Sequence, residues 1–230
     1  MNEENITLSL EGKTVTPDTT VEKFSQVGFS KEIMANFDKM KFDLMTPIQK
    51  YVLPVIAQGN DVIGCSQTGS GKTIAFLSPI VNKMMKDGPP KENGEAPSSP
   101  IALILIPTRE LAEQIYREGR KLLHNTGIQI TKIYGGVPHD SQLRELRDGT
   151  DILVATPGRL IDFLGSKMIS LKMIKYLILD EADRILDLGF TEQLNNISHN
   201  FGKKKMKIFL TFLTFLFIFF QFIFILFYSF

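Results

Sequence analysis

The residues best suited to chemistry lie in a short glycine-rich stretch that reads Ser-Gln-Thr-Gly-Ser-Gly-Lys-Thr. Glycines at these spacings let backbone N–H groups close around phosphate oxygens, and a helix that begins directly afterwards adds the positive end of its dipole. Lys72 is placed to reach the terminal phosphates of a nucleotide, and Thr73 to bind Mg²⁺. A glycine-rich turn without a ligand is the alternative. We expect nucleotide contacts from Ser66, Gln67, Thr68, Gly69, Ser70, Gly71, Lys72 and Thr73.

A second group of reactive side chains, Asp180-Glu181-Ala182-Asp183, follows the apolar run Tyr176–Leu179. An acidic residue at the end of a buried strand, downstream of a phosphate-binding loop, is suited to hold Mg²⁺, which predicts this role for Asp180. Glu181 could orient or deprotonate an attacking water. Alone, three carboxylates in four residues would indicate a solvated loop, but the phosphate-binding loop favours catalysis. The predicted catalytic residues are Lys72, Asp180 and Glu181.

The elements that must position these loops alternate between short apolar runs and amphipathic segments. This alternation predicts an α/β fold in which a parallel sheet has helices on both faces and binds ligands at the carboxyl ends of its strands. The predicted strands are 61–65, 101–106, 128–134, 151–155 and 176–179. The predicted helices are 72–86, 110–124, 142–147 and 157–164, with a Pro- and Gly-rich surface loop over 86–100.

Composition excludes several classes of protein. The chain has 230 residues, a formal net charge of +1, one cysteine and three scattered histidines. A single cysteine excludes an internal disulfide framework, and the histidines lack metal-ligand spacing. The first residues show no signal-peptide pattern, so we expect a cytoplasmic or nuclear protein. Residues 1–20 are polar and predict a flexible arm.

Six short motifs occur in a fixed order along the chain. They are Thr46–Gln49 (TPIQ), Gln67–Thr73 (QTGSGKT), Pro107–Ala112 (PTRELA), Gly135-Gly136, Thr156–Leu160 (TPGRL) and Asp180–Asp183 (DEAD). This series resembles the DEAD-box RNA helicase family, its Vasa-like branch best, over roughly residues 21–197. The resemblance implies a first RecA-like, P-loop domain over 58–207, preceded by a Q-motif region over 21–57.

The resemblance also implies the ligands and their contacts. ATP and Mg²⁺ would bind at the phosphate loop, with Thr73 and Asp180 on the metal. Gln49 would read the adenine edge through its amide, and Phe42 would stack on the ring, with Phe24 as the upstream aromatic residue. RNA would be bound through its backbone, without reading of sequence. The implied RNA contacts are Pro107, Thr108, Arg109, Gly136, Thr156, Gly158 and Arg159; taken alone, the two arginines would be ordinary surface charges.

Two departures from the family pattern are visible. Lys41 and Met45 stand where the family usually has Gly and Pro, which affects only local loop stiffness. No Ser-Ala-Thr motif follows the DEAD motif, and a second RecA-like domain is missing. We therefore expect a chain that binds ATP and RNA but hydrolyses and unwinds poorly; the alternative is a non-enzymatic adaptor.

Residues 208–230 form an apolar tail without charged residues, in which ten of the chain's 18 Phe lie. As a helix, 23 residues would be about 35 Å long, enough to cross a bilayer core. A tail anchor in a membrane is therefore one interpretation. The other interpretation is a translated artefact that replaces the normal continuation of the family's sequence. The composition favours it, because most of the run is Phe, Leu and Ile.

Overall fold

The computed structural model describes residues 8–10, 13–15, 21–88, 98–203 and 206–212. The strands are β1 Leu8–Leu10, β2 Lys13–Val15, β3 Val62–Cys65, β4 Ala102–Leu105, β5 Ile130–Ile133, β6 Ile152–Ala155, β7 Tyr176–Leu179 and β8 Lys207–Phe212. The helices are α1 Lys31–Lys39, α2 Pro47–Ala57, α3 Lys72–Asp87, α4 Arg109–Leu122, α5 His139–Arg147, α6 Pro157–Gly165, α7 Ala182–Asp187 and α8 Thr191–Ser198, with a 3₁₀ turn at Phe24–Gln26.

The main sheet has six parallel strands in the order β3-β8-β7-β4-β6-β5. Its central strands are continuous apolar runs because both faces are covered by helices. Alternate side chains of β4 enter different cores: Ile104 packs with α1 to α4, whereas Leu103 and Leu105 pack with α6 to α8. The predicted RecA-like architecture of a parallel sheet flanked by helices is confirmed.

The order of the strands determines which loops become neighbours. The carboxyl ends of β3, β8 and β7 form one half of the sheet edge, called here the phosphate-loop half. The carboxyl ends of β4, β6 and β5 form the arginine half, named for Arg109 and Arg159 in the first turns of α4 and α6. The motifs that are scattered along the sequence therefore meet along one edge.

The N-terminal arm differs from the prediction. Strands β1 and β2 pair antiparallel, with Leu8 opposite Val15, so part of the segment predicted as a flexible arm forms a hairpin. Strands of three residues are shorter than the alternating runs of four to eight residues from which a strand is predicted, so neither strand was predicted. The other residues of the 1–20 arm lie outside the described part of the chain.

The boundary predicted at residue 208 also differs. Residues 208–212, assigned from the sequence to the apolar tail, form most of β8, which lies between β3 and β7. Phe209 and Leu210 are buried in the two cores. A continuous apolar run is as typical of a buried parallel strand as of a membrane helix, so hydropathy alone could not separate them.

The rest of that tail, residues 213–230, lies outside the described residues, as do residues 89–97 of the predicted surface loop. Within the ranges that the structure describes, no helix is long and apolar enough to span a membrane.

Candidate functional site

The phosphate loop connects the end of β3 to the start of α3. Gly71 precedes α3 with a φ of +89°, and no side chain caps the first amides of the helix. A Cβ at this position would lie 2.5 Å from the amide nitrogen of Gln49. Glycine is therefore required at residue 71 for both its backbone conformation and its close approach to α2. The uncapped amides are free to bind an anion.

Lys72 lies folded over the loop that precedes it. Its ammonium donates to the carbonyl oxygen of Ser66 and, at 2.9 Å, to that of Gln67. Burial lowers the pKa of Lys72, while the carboxylates of Asp180, Glu181 and Asp183 oppose that shift. A phosphate group placed here would offer this partly desolvated cation a stronger partner than the two carbonyls.

Asp180 directly follows β7 and is only 4% exposed. The hydroxyl of Thr211, from the neighbouring β8, donates to Asp180 Oδ1, and the backbone N–H of Glu181 donates to the same oxygen at 3.1 Å. Burial raises the pKa of Asp180, whereas the Thr211 hydroxyl and Lys72 act in the opposite direction. Both contacts fall on Oδ1, so Oδ2 is the oxygen best placed for a metal or its water.

Glu181 has a left-handed backbone, with φ 53° and ψ 50°, at the start of α7. For a residue other than glycine this conformation costs about 1–2 kcal/mol. Its amide donates to Thr211 Oγ1 at 3.1 Å, and its carboxylate accepts from Arg184 at 3.3 Å. Strain of this kind is typical of functional sites, since it persists only where neighbouring contacts impose it.

A cavity of about 940 Å³ brings most of the predicted nucleotide contacts together. Its lining includes Phe42, Gln49, Thr68, Gly69, Gly71, Lys72, Thr73, Asp180 and Glu181. The other three predicted loop contacts, Ser66, Gln67 and Ser70, are not among the lining residues, and the hydroxyl oxygens of Ser66 and Ser70 lie 2.7 Å apart.

Gln49 links the predicted adenine end of the cavity to the phosphate loop. Its amide oxygen accepts from the backbone N–H of Thr46 at 3.0 Å, and its amide nitrogen donates to the carbonyl oxygen of Gly71 at 3.1 Å. A side-chain amide has two N–H groups and two oxygen lone pairs, so one of each remains for a ligand. Phe42, half-buried, lines the same cavity.

Phe24 does not lie in the cavity, which corrects its assignment as a nucleotide contact. It is 3% exposed and packs among other aromatic rings, with centroid distances of 4.3 Å to Phe37 and 6.3 Å to Phe42. Its apolar ring is better satisfied in this cluster than at a solvated site. Phe24 therefore supports Phe42 from behind.

The arginine half brings together the three loops predicted to contact RNA. Thr108 caps α4 by accepting from Leu111 N at 3.3 Å, and Arg109 is exposed beside it. Gly136 is exposed with a φ of +83°. Thr156 and the exposed Gly158 follow β6, which lies between β4 and β5. Adjacent strands are about 4.8 Å apart, so these loops form one continuous surface.

Two residues of the predicted RNA set are buried, which corrects their assignment as direct contacts. Pro107 is buried at the end of β4. Arg159 donates to the carbonyl oxygen of Val137 at 2.9 Å and to Gln142 Oε1 at 3.3 Å. A buried guanidinium is tolerated only where such acceptors surround it. Arg159 thus holds the Gly135-Gly136 loop against α6.

Sequence reasoning missed Thr211, which bonds both Asp180 and the Glu181 amide. The sequence signal was present but weak, since Thr211 is a polar residue inside an otherwise apolar run. Its partners lie 30 and 31 positions away, so only the pairing of β7 with β8 reveals the contact.

The oxygen donors at the site fit Mg²⁺. The described ranges contain no group of three or more His, Cys, Asp or Glu that could hold a metal. Mg²⁺ does not need such a cage, because it keeps several waters and usually binds one or two protein oxygens together with phosphates. Thr73 and Asp180, which both line the cavity, offer a hydroxyl and a carboxylate of this kind.

Comparison with known proteins identifies the family of the chain. Residues 46–213 match the sequence profile of the family described as DEAD/DEAH box helicase. The crystal structure of the yeast DEAD-box splicing factor Prp28 matches with a TM-score of 0.78 and 33% sequence identity, over 90% of this chain and 50% of that one. The chain thus spans about half the length of the Prp28 chain. Since the profile match extends over most of its residues, the chain belongs to the DEAD/DEAH box helicase family.

Proposed function

We propose that this chain binds ATP with Mg²⁺ in the phosphate-loop half and the RNA backbone along the arginine half. The observation that carries the proposal is the convergence of Gln49, Lys72, Thr73, Asp180 and Glu181 on one cavity. The coarse function rests on the family, whose members bind RNA and use ATP. The roles of the individual residues are proposed from their positions in the structure.

In the nucleotide-bound state, we propose that the uncapped amides of α3 and Lys72 bind the phosphates. Lys72 would leave the carbonyls of Ser66 and Gln67 to do so. Gln49 would use its remaining N–H and lone pair on adenine, against the ring of Phe42. Mg²⁺, held by Thr73 and Asp180, would neutralise charge on the phosphates.

Glu181 is the proposed general base or water-orienting residue. Its side chain is 9% exposed and belongs to the cavity wall, where a water beside the phosphates would be within its reach. Arg184 contacts the same carboxylate and keeps it aimed from the start of α7. Thr211 and Asp180 fix the backbone from which Glu181 projects.

We further propose that hydrolysis by this chain is slow and that unwinding needs a partner domain. The charge that develops on the transferred phosphoryl group usually requires an arginine supplied from outside the phosphate loop, worth about 10³- to 10⁵-fold in rate. The arginine nearest the catalytic carboxylate, Arg184, is engaged with Glu181. We propose that this arginine comes from a second RecA-like domain, as the resemblance to Vasa-like helicases implies.

Binding of a fluorescent ATP analogue and of labelled single-stranded RNA tests the proposal. Lys72→Ala should weaken ATP binding by at least ten-fold, because a charge-assisted contact to phosphate is lost. Lys83→Ala is the matched control: it lies on the same helix in an exposed ion pair with Asp87 and should bind as the unchanged protein does. ATP binding that survives Lys72→Ala would contradict the assignment. Binding of both ligands without any detectable hydrolysis would instead favour the adaptor role.

A further inference from the structure

Four side chains form a row at the outer end of the arginine half. Lys132 of β5 donates to both carboxylate oxygens of Glu113 on α4, at 2.8 and 2.7 Å. The hydroxyl of Tyr134 donates to Glu113 as well. The guanidinium carbon of Arg109 lies 5.2 Å from the centre of the Tyr134 ring. The row thus ends on a predicted RNA contact.

Tyr134 is held from both its ends. Its backbone N–H donates to Gln142 Oε1 at 3.3 Å, and its carbonyl oxygen accepts from Gln142 Nε2 at 3.0 Å. Its hydroxyl is fixed by Glu113. With 7% of its surface exposed, Tyr134 has little area for contact with a ligand, but one ring face remains against Arg109. Its effect on RNA must therefore pass through Arg109.

Glu113 would compete for Arg109 if it were free. It lies four residues after Arg109 on the same helix, the spacing at which opposite charges pair. Lys132 and Tyr134 instead occupy its oxygens, and their hydrogen bonds hold the pKa of Glu113 below its ordinary value. In the described part of the chain Arg109 makes no ion pair, so its charge is available to a phosphate.

We propose that Tyr134 is a positioning residue for RNA binding: its ring, fixed by Glu113 and Lys132, holds the Arg109 guanidinium at the sheet edge for a backbone phosphate. The inference rests on the proposed binding of RNA to the arginine half. A preorganised side chain loses less conformational entropy when it binds, so affinity rises without any contact between Tyr134 and RNA. A contact between an exposed cation and an aromatic ring is worth roughly two- to five-fold in affinity.

The test measures the affinity of a short fluorescein-labelled oligouridine in the presence of Mg²⁺ and a non-hydrolysable ATP analogue. Tyr134→Phe keeps the ring but removes its hydrogen bond to Glu113, so the ring is no longer anchored through its hydroxyl, and RNA binding should weaken about two- to five-fold. Tyr116→Phe is the matched control, since its hydroxyl accepts from Arg120 and contacts neither Arg109 nor Glu113. It should bind RNA as the unchanged protein does.

A double-mutant cycle separates positioning from a structural role. In an Arg109→Ala background, Tyr134→Phe should have no further effect, because the group that it positions is gone. Equal losses in both backgrounds, or no loss with Tyr134→Phe alone, would overturn the inference. Affinity for the ATP analogue and the urea midpoint, measured on each variant, detect any general loss of fold. If the unchanged protein binds the analogue but no RNA, both the proposed RNA binding and this inference are wrong.

Discussion

The two halves of the sheet edge use the polypeptide in different ways. In the phosphate-loop half the working groups are side chains that are nearly buried, such as Asp180 and Glu181. The Asp180 carboxylate and the Glu181 backbone N–H are both bonded to Thr211 of the neighbouring strand. In the arginine half the exposed groups are short loops, with Gly136, Gly158 and the caps of two helices. The buried side chains there, Arg159 and Tyr134, act on those loops from beneath.

This difference follows from the chemistry that each half would perform. Bond breaking at phosphate needs charges placed in a site of low dielectric, where their pKa values shift and their interactions strengthen. Contact with an RNA backbone needs only accessible donors in the right register. We therefore expect substitutions in the phosphate-loop half to cause large losses of activity or stability. Substitutions in the arginine half should cause smaller, partial losses of RNA affinity.

The largest effect is expected at Glu181. Glu181→Gln keeps the size of the side chain but removes the base, so single-turnover ATP hydrolysis should fall by about 10²- to 10⁴-fold. ATP and RNA affinities should stay within about two-fold of those of the unchanged protein. Glu192→Gln, on the exposed start of α8, is the control. If Glu181→Gln leaves hydrolysis unchanged, the phosphate-loop half does not use Glu181 as a catalytic group, and the contrast between the two halves is wrong.

The next effect concerns β8, the strand that gives the phosphate-loop half its buried character. Phe209→Ala should lower the free energy of unfolding by about 3–5 kcal/mol, because it leaves a cavity beneath the sheet. Leu44→Ala, at a side chain that is 75% exposed, should change it by less than about 0.5 kcal/mol. Urea unfolding measures both. Equal effects would mean that the Phe-rich run is not part of the fold.

A smaller effect is expected at Thr211. Thr211→Val preserves shape but leaves Asp180 Oδ1 and the Glu181 amide without their shared hydroxyl, which should cost about 1–3 kcal/mol of unfolding free energy. Hydrolysis should fall with it, because Glu181 loses a contact that imposes its left-handed backbone. Thermal unfolding and single-turnover hydrolysis measure the two effects. A variant as stable and active as the unchanged protein would show that Thr211 is passive.

The smallest effect is expected in the arginine half, at its two adjacent glycines. Gly136→Ala places a Cβ on a residue with φ of +83° and should cost about 1–2 kcal/mol, with RNA binding weakened a few-fold. Gly135→Ala is the control, since Gly135 has no positive φ and no atom within 4 Å of an added Cβ. RNA titration and urea unfolding compare them. Identical results for both variants would show that the positive φ of Gly136 does not require glycine.

Local sequence predicted a large part of this molecule because the relevant physics is local. Five of the six strands of the main sheet were predicted from apolar runs. The loop at Gly71 was predicted from its glycines, which a left-handed backbone conformation requires. The order of six motifs was enough to indicate the family. Each of these signals is carried by neighbours in the chain, within a few residues of one another.

The misplaced residues share one property: their surroundings come from distant parts of the chain. The sequence cannot show that Phe24 lies under Phe42, or that Arg159 is bonded to the carbonyl of Val137, 22 positions away. Residue type alone predicted an exposed arginine, which is where most arginines lie. Burial reversed that expectation because Val137 and Gln142, from another part of the chain, supply acceptors for the guanidinium.

The sequence by itself determined the fold class, the phosphate-binding loop and the acidic residues that follow β7, since these depend on chain-local periodicity and backbone freedom. Only the tertiary structure decided that the start of the Phe-rich run is a central strand of the sheet. The reason is that hydropathy measures how strongly a segment avoids water, not which protein surface removes it from water. Pairing with β3 and β7 gave residues 207–212 their place, and it set Thr211 beside Asp180.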